Sequence, residues 1–195
     1  MFIHACERWC NAKNAIPLCG MEDPHGLAEW AAGVPRAMRD DPLWRLPAYR
    51  FALYLGDLAQ LEDAPLVRRD YRTRPHLDQF LDAAGSISAN LAEGYGRTTG
   101  PDRAKFFEYA QSSARECRDW YFKVRHALAP GVAFARIDLV TRIIKIVTVA
   151  INDERAEAET RARRAARVRR PLRTKPTQVP RRPPSTQQPH PAPSE

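Results

Sequence analysis

Two pairs of small polar and acidic side chains are the first candidates for chemistry in this sequence. Asn90 and Glu93 lie three apart in the run Ser86-Ile-Ser-Ala-Asn-Leu-Ala-Glu-Gly-Tyr-Gly-Arg97, and Ser113 and Glu116 lie three apart further on. Two carboxylates brought together can divide general acid and general base work when their surroundings push their pKa values apart. No histidine or second cysteine completes a nucleophilic arrangement beside them. His4, His25 and His190 fall near the chain ends, while His76 opens one helical segment and His126 closes another. Helical spacing puts Ser86, Asn90, Glu93 and Arg97 on one side of a helix, with Ser113 and Glu116 on the next. Buried polar groups are costly unless they bond to one another. The reading preferred here is therefore an interhelical polar network of Ser86, Asn90, Glu93, Ser113 and Glu116. It assigns no catalytic residue and no cofactor.

The glycines of Gly94-Tyr-Gly96 look like part of a phosphate-cradling loop, but such loops follow a strand and open a helix. Here they follow a helical run, so they are read as its stop, with glycine supplying a left-handed backbone. Three of the four cysteines, Cys6, Cys10 and Cys19, sit near His4 and His25. Their spacing matches no paired zinc knuckle, and no metal site is assigned. Cys117 falls on an apolar helical face as a small hydrophobe.

The remaining chemistry is cationic. The formal charge is +8, and it is unevenly placed. Residues 1–42 carry four basic and six acidic groups, residues 43–150 carry sixteen and twelve, and residues 151–195 carry eleven and five. The excess thus gathers in the C-terminal part. Such a balance suits anionic partners such as RNA or DNA, through affinity that falls with salt; the bland alternative is solubility alone. On the body, Arg97, Arg103 and Lys105 flank one turn, while Arg115 and Arg118 fit an exposed helix side. In the tail, Arg161, Arg163, Arg164, Arg167, Arg169 and Arg170 put six positive charges into ten residues. That density engages a phosphate backbone without reading sequence.

The elements that must position these groups read as helices. A first helix is predicted from Pro47 to Leu61, with Phe51, Tyr54, Leu55, Leu58 and Leu61 facing inward. Glu62 to Arg74 then reads as a charged connection. A second helix opens near Thr73–Pro75 and carries Leu77, Phe80, Leu81, Ala84, Ile87, Leu91 and Tyr95. A third, after Thr98-Thr-Gly-Pro-Asp102, runs to about Leu128, with Phe106, Tyr109, Ala110, Cys117, Trp120 and Tyr121 on its inner face. Pro130-Gly131 breaks it. A fourth starts near Val132, and its apolar stripe is wide enough to suggest a subunit interface.

No sustained period-two alternation is present, so the fold predicted is all-α, an antiparallel up-and-down four-helix bundle over residues 38–152. Residues 1–37 read as a poorly structured extension. Residues 153–170 read as a basic helical spur, and residues 171–195 as a disordered, Pro-rich tail. No apolar run reaches the roughly 20 residues that span a bilayer, and no signal peptide is legible. A cytoplasmic location without membrane contact is expected.

The Ser86–Arg97 run, followed by Phe106 and Phe107 and then Ala110-Gln-Ser-Ser-Ala-Arg-Glu116, resembles a bacterial four-helix-bundle family. Its founding members are encoded in intervening sequences of large-subunit ribosomal RNA genes. The family pattern looks like S-I-x-x-N-I-A-E-G-x-G-R, then an aromatic-rich helix ending A-x-G-S-x-x-E. Leu91 stands here for its isoleucine and Ser112 for its glycine. The resemblance covers about residues 38–152 and leaves the basic tail outside. It implies an antiparallel bundle, often assembled as a pentameric ring, and kinship with accessory proteins of diversity-generating retroelements that bind nucleic acid and a reverse transcriptase. The function expected is a non-enzymatic homo-oligomer that binds RNA or DNA through its basic surface and tail. The alternative is a protein-interaction scaffold, such as a reverse-transcriptase accessory protein.

Overall fold

The structure is a computed structural model and describes residues 26–169 of the 195. Among the described residues every regular element is helical. Short helices α1 (Leu27–Gly33) and α2 (Arg36–Arg39) lead through a 3-10 turn, Pro42–Arg45, into α3 (Pro47–Asp57). A π-helical turn, Leu58–Asp63, joins α3 to α4 (Ala64–Arg69), and a 3-10 turn, Arg74–His76, leads into α5 (Leu77–Tyr95). The long helices α6 (Gly100–Val124) and α7 (Val132–Arg169) complete the fold. None of these helices is long and apolar enough to cross a membrane.

The 3.6-residue period of each apolar stripe explains the packing. Leu55 of α3, Phe80, Ile87 and Leu91 of α5, Phe107 and Tyr121 of α6, and Val140, Ile143 and Val147 of α7 are all fully buried in one core. α6 lies along both α5 and α7, and α3 packs against α5 and α7. Phe80 meets Tyr121 edge-on at 4.9 Å, near the start of α5 and the end of α6. Gln111 bonds Thr148, while Arg103, earlier in α6, bonds Glu154, later in α7. Residue numbers thus run in opposite directions along these neighbours.

Two boundaries and two buried faces differ from the sequence reading. The folded unit opens before Met38, because Trp30 of α1 stacks on Trp44 and donates Nε1–H to Asp57 at 2.7 Å. The stretch from Glu62 is helical to Arg69 rather than a connection. The π-helical turn winds in an extra residue, so Asp63, Ala64 and Val67 turn inward while Leu61 stands 71% exposed. The inner face of α6 is set by Ala104, Phe107 and Ala114, leaving Phe106 half-buried and Tyr109 exposed.

The glycines correct a third kind of expectation. Neither Gly94 nor Gly96 has positive φ, so neither stops α5 by a left-handed turn. Gly94 is a close-approach site instead: a Cβ there would stand 2.9 Å from both Phe106 Cβ and Phe107 Cδ1. Gly131, with φ 84°, does reverse the chain between α6 and α7. Most of the wide α7 stripe is consumed inside the chain. Leu139, Val140, Ile143, Val147 and Ile151 are buried and Ile137, Ile144 and Ile146 pack against the core, but Phe134 is 60% exposed.

Candidate nucleic-acid interface

The five body cations proposed from sequence fall into three environments. Arg103 is drawn into the fold, with its side chain only 14% exposed. Its Nη1 donates to both carboxylate oxygens of Glu154 at 2.8 and 2.7 Å, and its Nη2 to the Arg97 carbonyl at 3.0 Å. It fastens α6 to α7, and this pairing and its low exposure leave it less available to a phosphate than the sequence alone suggested. Gly100 permits this approach, since a Cβ there would lie 3.1 Å from the Glu154 carbonyl oxygen.

Arg97 is partly committed. It pairs with Glu93 one turn earlier and lies over the Phe106 ring, 4.3 Å from its centroid. Lys105, Arg115 and Arg118 are exposed on α6. Lys105 Nζ stands 5.9 Å from the Tyr109 ring, and Arg125 lies 4.0 Å from the centroid of the exposed Phe122. Cations interleaved with accessible aromatic faces suit single-stranded nucleic acid, because bases stack on the rings while the cations meet phosphates.

α7 continues without a break to Arg169, and beyond Glu154 nearly every side chain described is exposed, Arg161, Arg163 and Arg164 included. Arg163 makes a loose pair with Glu159 at 3.6 Å. Arg167 and Arg169 belong to the same helix. Arg170 and the Pro-rich segment lie outside the described residues, as do Cys6, Cys10, Cys19, His4 and His25.

The polar network expected between the second and third helices is not formed as proposed. Asn90 donates to the Ser86 carbonyl of its own helix at 2.8 Å, and Glu93 turns to Arg97. Glu116 is exposed and accepts from Trp120 Nε1 at 3.4 Å, again within one helix. Ser113 is half-buried on α6. Glu93 and Glu116 thus engage different partners on different helices, which leaves the acid-base reading without a shared cleft.

The interhelical network that does form was not legible as a site. Asp63, 1% exposed, accepts from Tyr121 Oη at 3.0 Å and from Arg136 Nε at 3.2 Å, while Arg136 Nη2 donates to Glu62 at 2.6 Å. Burial raises the Asp63 pKa against the opposing pull of Arg136 and Tyr121. Burial also pushes the Tyr121 phenol and the Cys117 thiol up, with the Asp63 charge adding to both. This cluster joins the π-helical turn, α6 and α7, and its enclosure makes it a brace. The one signal for it in the sequence was Asp63 ahead of Ala64-Pro65, within a stretch read as a loop.

A family model described as 23S rRNA-intervening sequence protein matches residues 70–127. The matched segment holds α5, α6 and the turn between them, including the whole Ser86–Arg97 run. It is less than a third of the chain and narrower than the span over which the resemblance was drawn. No curated protein matches the chain significantly.

Proposed function

We propose that this chain is a non-enzymatic, homo-oligomeric helical bundle of the intervening-sequence family that binds RNA or DNA through exposed cations. α3 with its π-helical turn, α5, α6 and the first part of α7 would be the four members of an antiparallel up-and-down bundle. The observation that carries the binding reading is the α7 spur. Over residues 155–166 nearly every side chain of the helix is exposed, arginines Arg161, Arg163 and Arg164 among them. A helix polar all round gains little from packing on its own chain. Its charge is of the sign and density that meets a phosphate backbone. Lys105, Arg115 and Arg118 add a weaker basic surface on α6.

Assembly would strengthen this by presenting several spurs at once. The exposed Phe134 and Leu61 offer apolar area for contact between copies. The test is a gel shift with the full chain against RNA and DNA over a salt titration, with light scattering for mass. Affinity that falls steeply with salt, on a particle several times the chain's mass, is expected. Absence of binding to any nucleic acid would overturn the binding reading. Co-purification of a reverse transcriptase in place of nucleic acid would turn it to the scaffold alternative.

A further inference from the structure

A half-open cleft of about 310 Å³ lies where the segment before α5 meets the end of α6. Six of its lining residues, Arg72, Thr73, His76, Trp120, Lys123 and His126, carry N–H or O–H donors, and none of its lining residues is a carboxylate. All fall within residues 70–127, the segment matched by the family model. The sequence places Arg72 and Thr73 in a connection, His76 and His126 at helix ends and Trp120 on an inner face, none of them as a binding residue.

The donors are held in place by their neighbours. Asp70 accepts from the Arg72 backbone N–H at 2.9 Å, from its Nε at 3.0 Å and from its Nη2 at 2.6 Å, which fixes the guanidinium and leaves Nη1 outside the pair. The Thr73 hydroxyl donates to the Val67 carbonyl at 2.9 Å, pinning the turn that delivers His76. His76 stacks on Trp120 with centroids 5.3 Å apart and planes 29° apart. Lys123 Nζ lies 4.3 Å from the Trp120 ring centroid and 2.5 Å from Asp119. Both members of that last pair are more than half exposed, so it is weak and an incoming anion can displace Asp119.

The chemistry selects a phosphate ester. Arginine, lysine and ring N–H donors around a cleft without carboxylates favour an oxyanion. The volume sits at the lower end of the roughly 300–1,000 Å³ typical of ligand clefts, and an indole wall suits a sugar or base beside the phosphate. We propose that this cleft seats one phosphodiester-linked nucleotide of a single-stranded nucleic acid, its phosphate on Lys123, Arg72 and His126 and its sugar or base against the His76–Trp120 stack. A concave cleft of this size receives an unstacked nucleotide, whereas the phosphates of a duplex line a convex ridge.

The inference rests on the nucleic-acid reading above but uses different residues. Lys123 is twenty residues along α6 from Arg103, or about 30 Å at the helical rise. Arg103 marks where the spur leaves the core, so cleft and spur lie at opposite ends of α6. A tetranucleotide in the cleft therefore does not reach the spur.

The experiment measures fluorescence anisotropy of labelled single-stranded RNA and DNA tetranucleotides, and of a longer strand, with the full chain at low salt. Replacing Lys123→Gln together with His126→Gln, both exposed, is expected to weaken tetranucleotide binding about tenfold, as loss of a charge-assisted contact does. Arg161→Gln, Arg163→Gln and Arg164→Gln together should weaken the longer strand, and in that background the Lys123 and His126 replacements should still cost the tetranucleotide about tenfold. The Trp120 indole N–H resonance of the unaltered chain, assigned with Trp120→Phe, should shift on titration. Unchanged affinity in the Lys123/His126 variant, or an unmoved Trp120 signal, overturns the cleft and leaves the spur reading standing wherever the longer strand still binds. Failure of the unaltered chain to bind any strand overturns both.

Discussion

Arg103 sets Nη1 within 2.8 Å of both carboxylate oxygens of Glu154, and the same guanidinium reaches the Arg97 carbonyl through Nη2. One side chain in the first turns of α6 therefore ties the turn after α5 to the last buried position described on α7. Beyond Glu154 the spur leaves the core, so the pair fixes where and in what direction a basic helix emerges.

The pair is nearly buried at both ends, with side chains 14% and 8% exposed. Removing one member of such a pair strands the other and costs about 3 kcal/mol or more, whereas replacing both with apolar residues is far less harmful. Glu154→Leu alone is predicted to lower stability by about that amount. Arg103→Met with Glu154→Leu should recover most of it. Urea unfolding of the three proteins decides this, and equal stability of single and double variants would refute it.

Gly94 and Gly85 lie nine residues apart on α5 and should respond in opposite directions. A Cβ at Gly94 would stand 2.9 Å from Phe106 and Phe107, inside the core, while one at Gly85 would meet nothing within 4 Å. Gly85→Ala removes backbone freedom from a helix interior and should stabilise by about 0.5–1 kcal/mol. Gly94→Ala makes the same helical gain but forces overpacking, so a net loss of about 1–3 kcal/mol is predicted. Thermal melts of the two variants, compared with the parent chain, test the contrast.

These glycines also show what the sequence made legible. The Ser86–Arg97 run marks a helix and its apolar face, because Ile87 and Leu91 keep the 3.6-residue period through to the core. It could not show why Gly94 is a glycine, since that depends on two phenylalanines arriving from α6. Leu61 failed for a related reason. A period count assumes regular α winding, and the π-helical turn at Leu58–Asp63 breaks it. The candidate cations were visible as residue types. Their availability was not, because Arg103 is consumed by Glu154, 51 residues away. Charge runs on a helix with no packed neighbour, as in the spur, are legible because nothing tertiary competes for them.

Asp63 and Asp70 should oppose each other in the pH dependence of stability. Burial raises the Asp63 pKa above its ordinary value, so the folded chain holds that proton more tightly than the unfolded chain does. Its contribution favours folding below about pH 4 and is withdrawn as pH rises through the folded value. Hydrogen bonds from Arg72 lower the Asp70 pKa to about 2, so its contribution is present above about pH 4 and is lost as pH falls toward 2. Asp63→Asn, which can still accept from Tyr121, is expected to lose less stability than the parent as pH rises from 4. Asp70→Asn is expected to flatten the acid limb. Urea midpoints taken from pH 2 to 8 check both, and curves parallel to the parent throughout would refute them.

The spur arginines give a prediction that separates electrostatic attraction from folding. Arg161, Arg163 and Arg164 are exposed, and only Arg163 has even a loose ion pair. Changing all three to glutamine removes no packing, so the melting temperature should hold within a degree or two, as surface changes away from structural features do. Each phosphate contact on a single strand contributes about 0.7 to the slope of log affinity against log salt. Loss of three should therefore reduce that slope by roughly 2 and weaken binding most at low salt. A binding isotherm series on a long single strand measures it. An unchanged slope would mean that phosphates do not meet the spur, and the reading that depends on it would fall.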